Sequence, residues 1–206
     1  MRPEREEAFE TALEALRRRL LEGRFPPGER IPAVAIADEL KLSATPIREA
    51  LSRLAGEGLV DERRHQGFFA RRLTGADVAD LYRLSQSHLL MLLAQERAVR
   101  HSPPDAERLQ AEPVTAIEAF CLAWLHARGS STLHAAYRSA AVQLGPIRRT
   151  EPLILDDLAE EALAFARAAV DEAAAEIAQM FRRFHARRIA AADRLALVYA
   201  RQAGRL

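Results

Sequence analysis

The stretch from Lys41 to Leu54, KLSATPIREALSRL, carries polar side chains that donate hydrogen bonds rather than attack carbonyls or ligate metals. On a helical register Ala44, Thr45, Arg48 and Ser52 fall on one side. Ile47, Ala50, Leu51 and Leu54, spaced i, i+3, i+4 and i+7, fall on the other. The Ser43 and Thr45 hydroxyls suit the free amides of a first helical turn or a phosphate oxygen, and Pro46 fits a turn where an amide needs no partner. Arg48 adds a fork of donors that matches a phosphate or the acceptor pair of guanine, and Arg53 follows on the same helix. A second donor cluster lies in DERRHQGFFARR, where Gln66 and Gly67 form a tip suited to a minor groove and Arg63, Arg64, Arg71 and Arg72 supply attraction to phosphates. Such a set can read a duplex: contacts to phosphates position, contacts to base edges specify.

Catalytic chemistry has no comparable constellation. There is no Gly-rich phosphate loop, no zinc-hydrolase histidine pair and no nucleophile elbow. Asp156-Asp157 and Glu160-Glu161 read as the polar start of a helix, where negative charge meets the positive end of the dipole. The expectation is a protein that is not an enzyme and needs no cofactor.

The elements that must hold the donors follow from periodicity. Residues 8–21 place Phe9, Leu13, Leu16 and Leu20 at helical spacing and should stop at Gly23, before the turn FPPGER. A short amphipathic stretch with Ile36 and Leu40 on one face comes next, then the break Lys41-Leu42-Ser43 and the donor-bearing helix. Beyond Gly58 the period changes, and LVDERRHQGFFARR reads as two short strands around a turn at His65-Gln66-Gly67. Three helices and a hairpin in this order are a winged helix-turn-helix, whose third helix enters the major groove.

From Thr74 onward the pattern is helical throughout. Thr74 or Asp77 caps a helix running to about Arg100, with Val78, Leu81, Leu84, Leu92 and Leu93 among its apolar positions. Further helices are expected near 105–111, 114–127 and 131–144, with breaks at Pro113, Gly129-Ser130 and Gly145-Pro146. The last fifty residues should form one or two long helices, divided near Asp171. The fold class expected is therefore mainly α: a winged helix-turn-helix over 1–73 and an all-α helical bundle over 74–206.

Composition sets the frame. A chain of 206 residues with 49% hydrophobic content can bury compact cores, which excludes disorder as the main state. Its net charge is only +1, so bulk electrostatics give no reason to expect a nucleic-acid partner, and position has to carry that reading. Lys41 is the sole lysine among 30 basic residues, a preference for arginine that reads first as a coding bias. The lone Cys121 cannot form an intrachain disulfide, the start MRPEREEAFE is too charged for a secretory signal, and no apolar run is long enough to span a bilayer. A cytoplasmic protein without membrane contact is expected.

The segment LEGRFPPGERIPAVAIADELKLSATPIREALSRLAGEGLV resembles the N-terminal domain of GntR-family transcription regulators, through the PGERI turn, the SATPIREAL helix, the EGLV entry to the wing and Gly67. The resemblance implies a homodimeric repressor or activator that binds double-stranded operator DNA with inverted-repeat symmetry and answers to a small-molecule effector. It points to Ser43, Ala44, Thr45, Arg48, Arg53, Arg63, Arg64, Gln66 and Gly67 as the DNA-contacting set. Many members carry an arginine just after the turn serine and a Glu-Arg pair in the second helix, where this chain has Ala44 and Val34-Ala35. Fewer charged contacts imply modest affinity per half-site and a strong dependence on dimerisation. A winged-helix interaction protein that has lost DNA or effector binding is the alternative.

The helical half, opening DVADLYRLSQSHLLMLLAQ and continuing through the AF…GSSTL segment, is similar to the FadR-type (FCD) subgroup. Its members often hold a divalent metal through one Asp and three His, with a nearby Arg for a carboxylate ligand. Here Ile117 and Cys121 stand at the first two of those places, Ala162 or a neighbour at the third, and the fourth falls between Arg182 and His185. Ser85 replaces the arginine. The expectation is no metal of that type, because a cation needs several converging donors. Ser85, His88, Cys121, Trp124 and Tyr137 are the candidate pocket residues. His88 reads as either a pocket group or a bonded core histidine, and Trp124 and Tyr137 as either cavity lining or packing. Cys121 reads as a small core residue or, with His126, His134 or His185, as part of an unorthodox metal site. The basic, amphipathic stretch MFRRFHARRIAAADRLALVYARQ reads as a solvated outer face before a surface for DNA or membrane.

Overall fold

A computed structural model describes residues 2–94, 106–127, 131–170 and 174–202. Helix α1 (Arg2–Leu21) buries Ala12, Leu13, Leu16 and Leu20. It ends on Gly23, whose φ of 69° lets its amide bond to the Leu20 carbonyl while the Arg24 amide reaches Arg19, a cap that other residues adopt at a steric cost. Helix α2 (Ala33–Leu40) turns at Lys41 into α3 (Ala44–Gly56). Strands β1 (Val60–Arg63) and β2 (Gly67–Ala70) pair antiparallel, Val60 opposite Ala70 and Arg63 opposite Gly67. This is the winged helix-turn-helix that the periodicity predicts. The structure adds a third short pairing. Residues 28–31 lie along β2, the Gly28 amide bonded to Ala70, Ile31 to Phe68, and the Ala70 amide to Glu29. The turn is also one residue earlier than expected, over residues 64–66, with His65 itself at φ 62°.

The second half is a bundle around α4 (Gly75–Leu93), which starts on a full capping box. The Asp77 amide bonds to the Thr74 hydroxyl and the Thr74 amide to the Asp77 carboxylate. The others are α5 (Ala106–Ala111), α6 (Pro113–Ala127), α7 (Ser131–Arg148), α8 (Leu158–Val170), α9 (Ala174–Ala190) and α10 (Ala192–Ala200), with a single 3-10 turn at Glu151–Leu153. Helix α4 packs on α7, α9 and α10, and α7 also packs on α1, so that Val142 of α7 belongs to the winged-helix core with Leu16, Leu20 and Leu59.

Several boundaries depart from the sequence reading. Helix α7 runs through Gly145-Pro146 to Arg148 rather than stopping at Leu144. Proline there removes only one bond near the end of the helix, and packing on both faces offsets it. Pro113 opens α6 as its first residue. Among the described residues of the last fifty there are three helices, because the chain also turns at Ala191, within an Ala-rich run that holds no breaker. Leu84, expected to be buried, is 51% exposed and shares with Met91, 50% exposed, a face of α4 that no other described helix covers. The basic C-terminal stretch is not simply a solvated face, since His185 and Arg188 are buried. The expected reach of α4 to Arg100 and the breaks at Gly129-Ser130 and Asp171 lie outside the described residues.

Candidate nucleic-acid interface and buried cavity

Pro46, Ile47, Ala50, Leu51 and Leu54 anchor α3 in the winged-helix core, as the stripe requires. Their burial leaves Ser43, Thr45, Arg48, Ser52 and Arg53 exposed and Ala44 half-buried. Ser43 is the N-cap by backbone geometry, yet its hydroxyl bonds no helix amide. Arg48 is exposed and makes no ion pair among the described residues, so its five donors face solvent. Arg53 instead pairs with Glu57 at 2.8 Å, and Glu57 also takes Arg17 of α1, so this end of α3 is tied to the scaffold.

At the wing, Arg63 lies over the Phe69 ring, 3.9 Å from its centroid, while Arg64 and Gln66 are exposed. Gly67, at φ 101°, lies beneath Arg30. Arg30 is a wing-tip cation that the sequence reading left out; its place in the PGERI turn next to the segment that joins β2 is the only signal for it. Arg71 is turned inward: its guanidinium bonds the Gly58 carbonyl and the Gln143 side chain on α7. It serves as a tie between wing and bundle rather than a free phosphate ligand.

Inside the bundle a small cavity of about 10 Å³, room for roughly one water molecule, is lined by Glu118, Cys121, Tyr137, Arg148, Glu151 and His185 together with Ile117 and other apolar side chains. Of the expected pocket residues, Cys121 and Tyr137 line it and Ser85 touches it through His185. The His185 Nδ1–H must donate to the Phe181 carbonyl at 2.6 Å, a pure acceptor, which leaves Nε2 to accept from the Ser85 hydroxyl at 3.0 Å. Burial pushes the His185 ring down to about 3, so it is neutral, and pushes the Cys121 thiol up to about 11. Trp124 does not line the cavity. It packs edge-on against Phe181 at 5.6 Å, as core. His88 is half-buried beside Tyr137, and burial lowers its proton affinity.

Two places that the resemblance assigns to metal ligands, Ile117 and Cys121, therefore do meet at one cavity with His185, from the 182–185 stretch where the fourth falls, while Ala162 is buried outside its lining. The residues present do not fit a divalent ion: Ile117 has no donor atom and Cys121 is held as the thiol. Among the described residues no group of three or more His, Cys, Asp or Glu converges. Ser85 and His185 have the spacing of a nucleophile and base, but no carboxylate orients the ring and the pair is sealed.

The charged residues missed by sequence reasoning are those around this cavity. Glu118 accepts from Arg148 at 2.9 Å and from Arg149 at 3.1 Å. Burial opposes the Arg148 charge, but the carboxylates of Glu118 and Glu151 beside it favour the protonated guanidinium. Arg188 bonds Glu151, Glu161 and the Phe184 carbonyl.

A winged helix-turn-helix with an exposed, donor-bearing third helix, set on an α-helical bundle, is the class that fold and surface define. Residues 9–70 match the family model for bacterial regulatory proteins of the gntR family. The chain is 52% identical over 60 residues to the Nta operon transcriptional regulator of Aminobacter aminovorans, 29% of each chain. It is 36% identical over 69 residues to the HTH-type transcriptional regulator YdhC of Bacillus subtilis, 34% of this chain and 31% of that one. These matches thus span less than a third of either relative. The fold as a whole is similar to that of E. coli McbR/YncC, with a TM-score of 0.70, 18% identity and coverage of 91% of this chain and 97% of that one. It is also similar to that of a transcriptional regulator GntR from Rhodococcus sp. RHA1, with a TM-score of 0.73, 19% identity and coverage of 89% and 96%.

Proposed function

We propose that this chain is a sequence-specific transcription regulator that binds an inverted-repeat operator as a homodimer and responds to a small molecule held in the bundle. The single observation that carries the reading is the head of α3, where Ser43, Thr45 and Arg48 are exposed with no side-chain partner among the described residues, on a helix whose other face is anchored. Free donors on a fixed helix are what base-edge and phosphate recognition need. On this reading the division falls between Leu73 and Thr74, the helical half is of the FCD type with a metal-free cavity, and the protein works in the cytoplasm. The exposed Leu84 and Met91 on one face of α4 support a second copy as partner, since apolar surface of this kind is worth covering.

The test is fluorescence anisotropy of the full chain on the DNA upstream of its own gene, titrated with salt. Saturable binding that weakens steeply with salt and outcompetes random duplex is the expected result. Binding no tighter than to random duplex would overturn the reading in favour of an interaction scaffold.

A further inference from the structure

Helix α1 leaves its last carbonyls without helical partners, as every helix does. The Gly23 cap uses those of Leu20 and Arg19, and Glu22 uses that of Arg18. The Leu21 carbonyl is served from the other half of the protein: Arg149 Nη2 donates to it at 3.4 Å. The α7 backbone is packed against the same atom, since a Cβ added at Gly145 would stand 2.1 Å from the Leu21 oxygen. A cation at this helix end also meets the negative pole of the α1 dipole.

Arg149 is not held by Leu21 alone. The same Nη2 donates to Glu118 Oε2 at 3.1 Å, while Glu118 Oε1 accepts from Arg148 Nη1 at 2.9 Å, and Arg148 and Glu118 both line the cavity. Two guanidiniums adjacent in sequence thus share one carboxylate, one facing the cavity and one holding the winged-helix domain. The set is short of acceptors: Arg148 Nε and Arg149 Nη1 are buried with no partner among the described residues. An acceptor oxygen entering the cavity has the Arg148 Nε–H to bind. Once it shares that guanidinium, the Arg148–Glu118 bond weakens, Glu118 is no longer fixed, and Arg149, whose bond to Leu21 is the longest in the chain of contacts, loses the carboxylate that positions it.

We propose that Glu118 and the Arg148–Arg149 pair couple the bundle cavity to the docking of α1 on α7, so that filling the cavity loosens the winged-helix domain. This rests on the reading of the cavity as the effector site. Arg149 acts as a positioning residue that touches neither DNA nor the occupant, and Glu118, in the cavity wall, positions it.

The test is hydrogen exchange of the full chain without DNA, comparing the wild type with Arg149→Met and Glu118→Gln. Both variants should speed exchange over residues 18–25 by about five-fold or more, with the buried turns of α3 unchanged. Loosening in Arg149→Met alone would mean a latch with no link to the cavity and would overturn the coupling, as would no change in either. If Glu118→Gln loses protection throughout the bundle, Glu118→Asp decides, because its shorter carboxylate keeps the charge but cannot span both guanidiniums. Normal exchange over 18–25 in Glu118→Asp overturns the proposal; selective loosening upholds it. Because no DNA is present, failure here is separate from failure to bind an operator.

Discussion

Arg188→Met should cost this protein about 3–5 kcal/mol, the range for breaking a buried ion pair by removing one partner. The structure shows why the upper part of that range applies. Arg188 is 1% exposed and all five of its donors are used: Nε and Nη2 grip both oxygens of Glu151 at 3.0 and 2.8 Å, Nη1 and Nη2 reach Glu161 at 3.1 and 2.8 Å, and Nη1 also bonds the Phe184 carbonyl at 3.0 Å. Methionine fills much of the space and can lie on the Phe184 ring, which Arg188 now covers at 3.4 Å, so the loss is electrostatic rather than a cavity. Glu161 retains some contact with solvent, but Glu151 is fully buried and would keep only the Tyr82 hydroxyl, at 2.6 Å. Against a usual total of about 5–15 kcal/mol, that is a large fraction. Urea denaturation followed by circular dichroism measures it, and the double variant Arg188→Met/Glu151→Leu provides the control. Removing both charges should recover more than half of the loss, leaving the cost of an unpaired Tyr82 hydroxyl, about 1–3 kcal/mol. A single variant within about 1 kcal/mol of wild type, or a double variant no better than the single, would refute the argument.

Three further outcomes are expected. Arg48→Ala should weaken operator binding by about ten-fold or more and lower the slope of log affinity against log salt by about one, read by anisotropy; unchanged binding removes Arg48 from the interface. His185, held near 3 in the folded state and near 6.5 when unfolded, gives stability that is present above about 6.5 and is lost as pH falls toward 3. Between pH 6.5 and 5 this one group should cost about 2 kcal/mol, so His185→Gln should flatten the pH profile in urea melts, and a parallel profile would show that the ring is not buried as neutral. Gly145→Ala gains about 1 kcal/mol of helix propensity but drives a methyl into the Leu21 backbone, at a cost of about 1–3 kcal/mol. Trypsin should then cut at Arg24 faster with helix content unchanged, and a raised melting point with unaltered cleavage would contradict the close approach.

What the sequence made legible is local. The stripe Ile47, Ala50, Leu51 and Leu54, the Thr74 cap and the hairpin before Arg71 each declare themselves within a dozen residues. What it hid depends on distant partners. The 28–31 pairing with β2 lies in a proline-bearing turn with no alternation, and only the wing supplies its register. Helix α7 survives Gly145-Pro146 because α1 and α4 pack on it, and Ala191 turns without a breaker. The candidate site shows the same division. Arg48 is recognisable from its helical face, whereas Arg148, Arg149 and Arg188 look like any surface arginine in a chain with so many, and only Glu118, Glu151 and Glu161, 27 to 37 residues away, bury them. Trp124 was open to two readings because helical spacing cannot tell a cavity wall from core.

The idle hydroxyl of Ser43 sets two demands on the chain against each other. A serine that capped α3 would steady the unbound protein by about 0.5–2 kcal/mol, yet here the first amides of the helix are left to water. If those amides and that hydroxyl are what a phosphate meets, the helix is completed by its target rather than by its own sequence. A search for heat-resistant variants would then favour changes that close this end, and each would make a sturdier protein and a poorer reader of DNA.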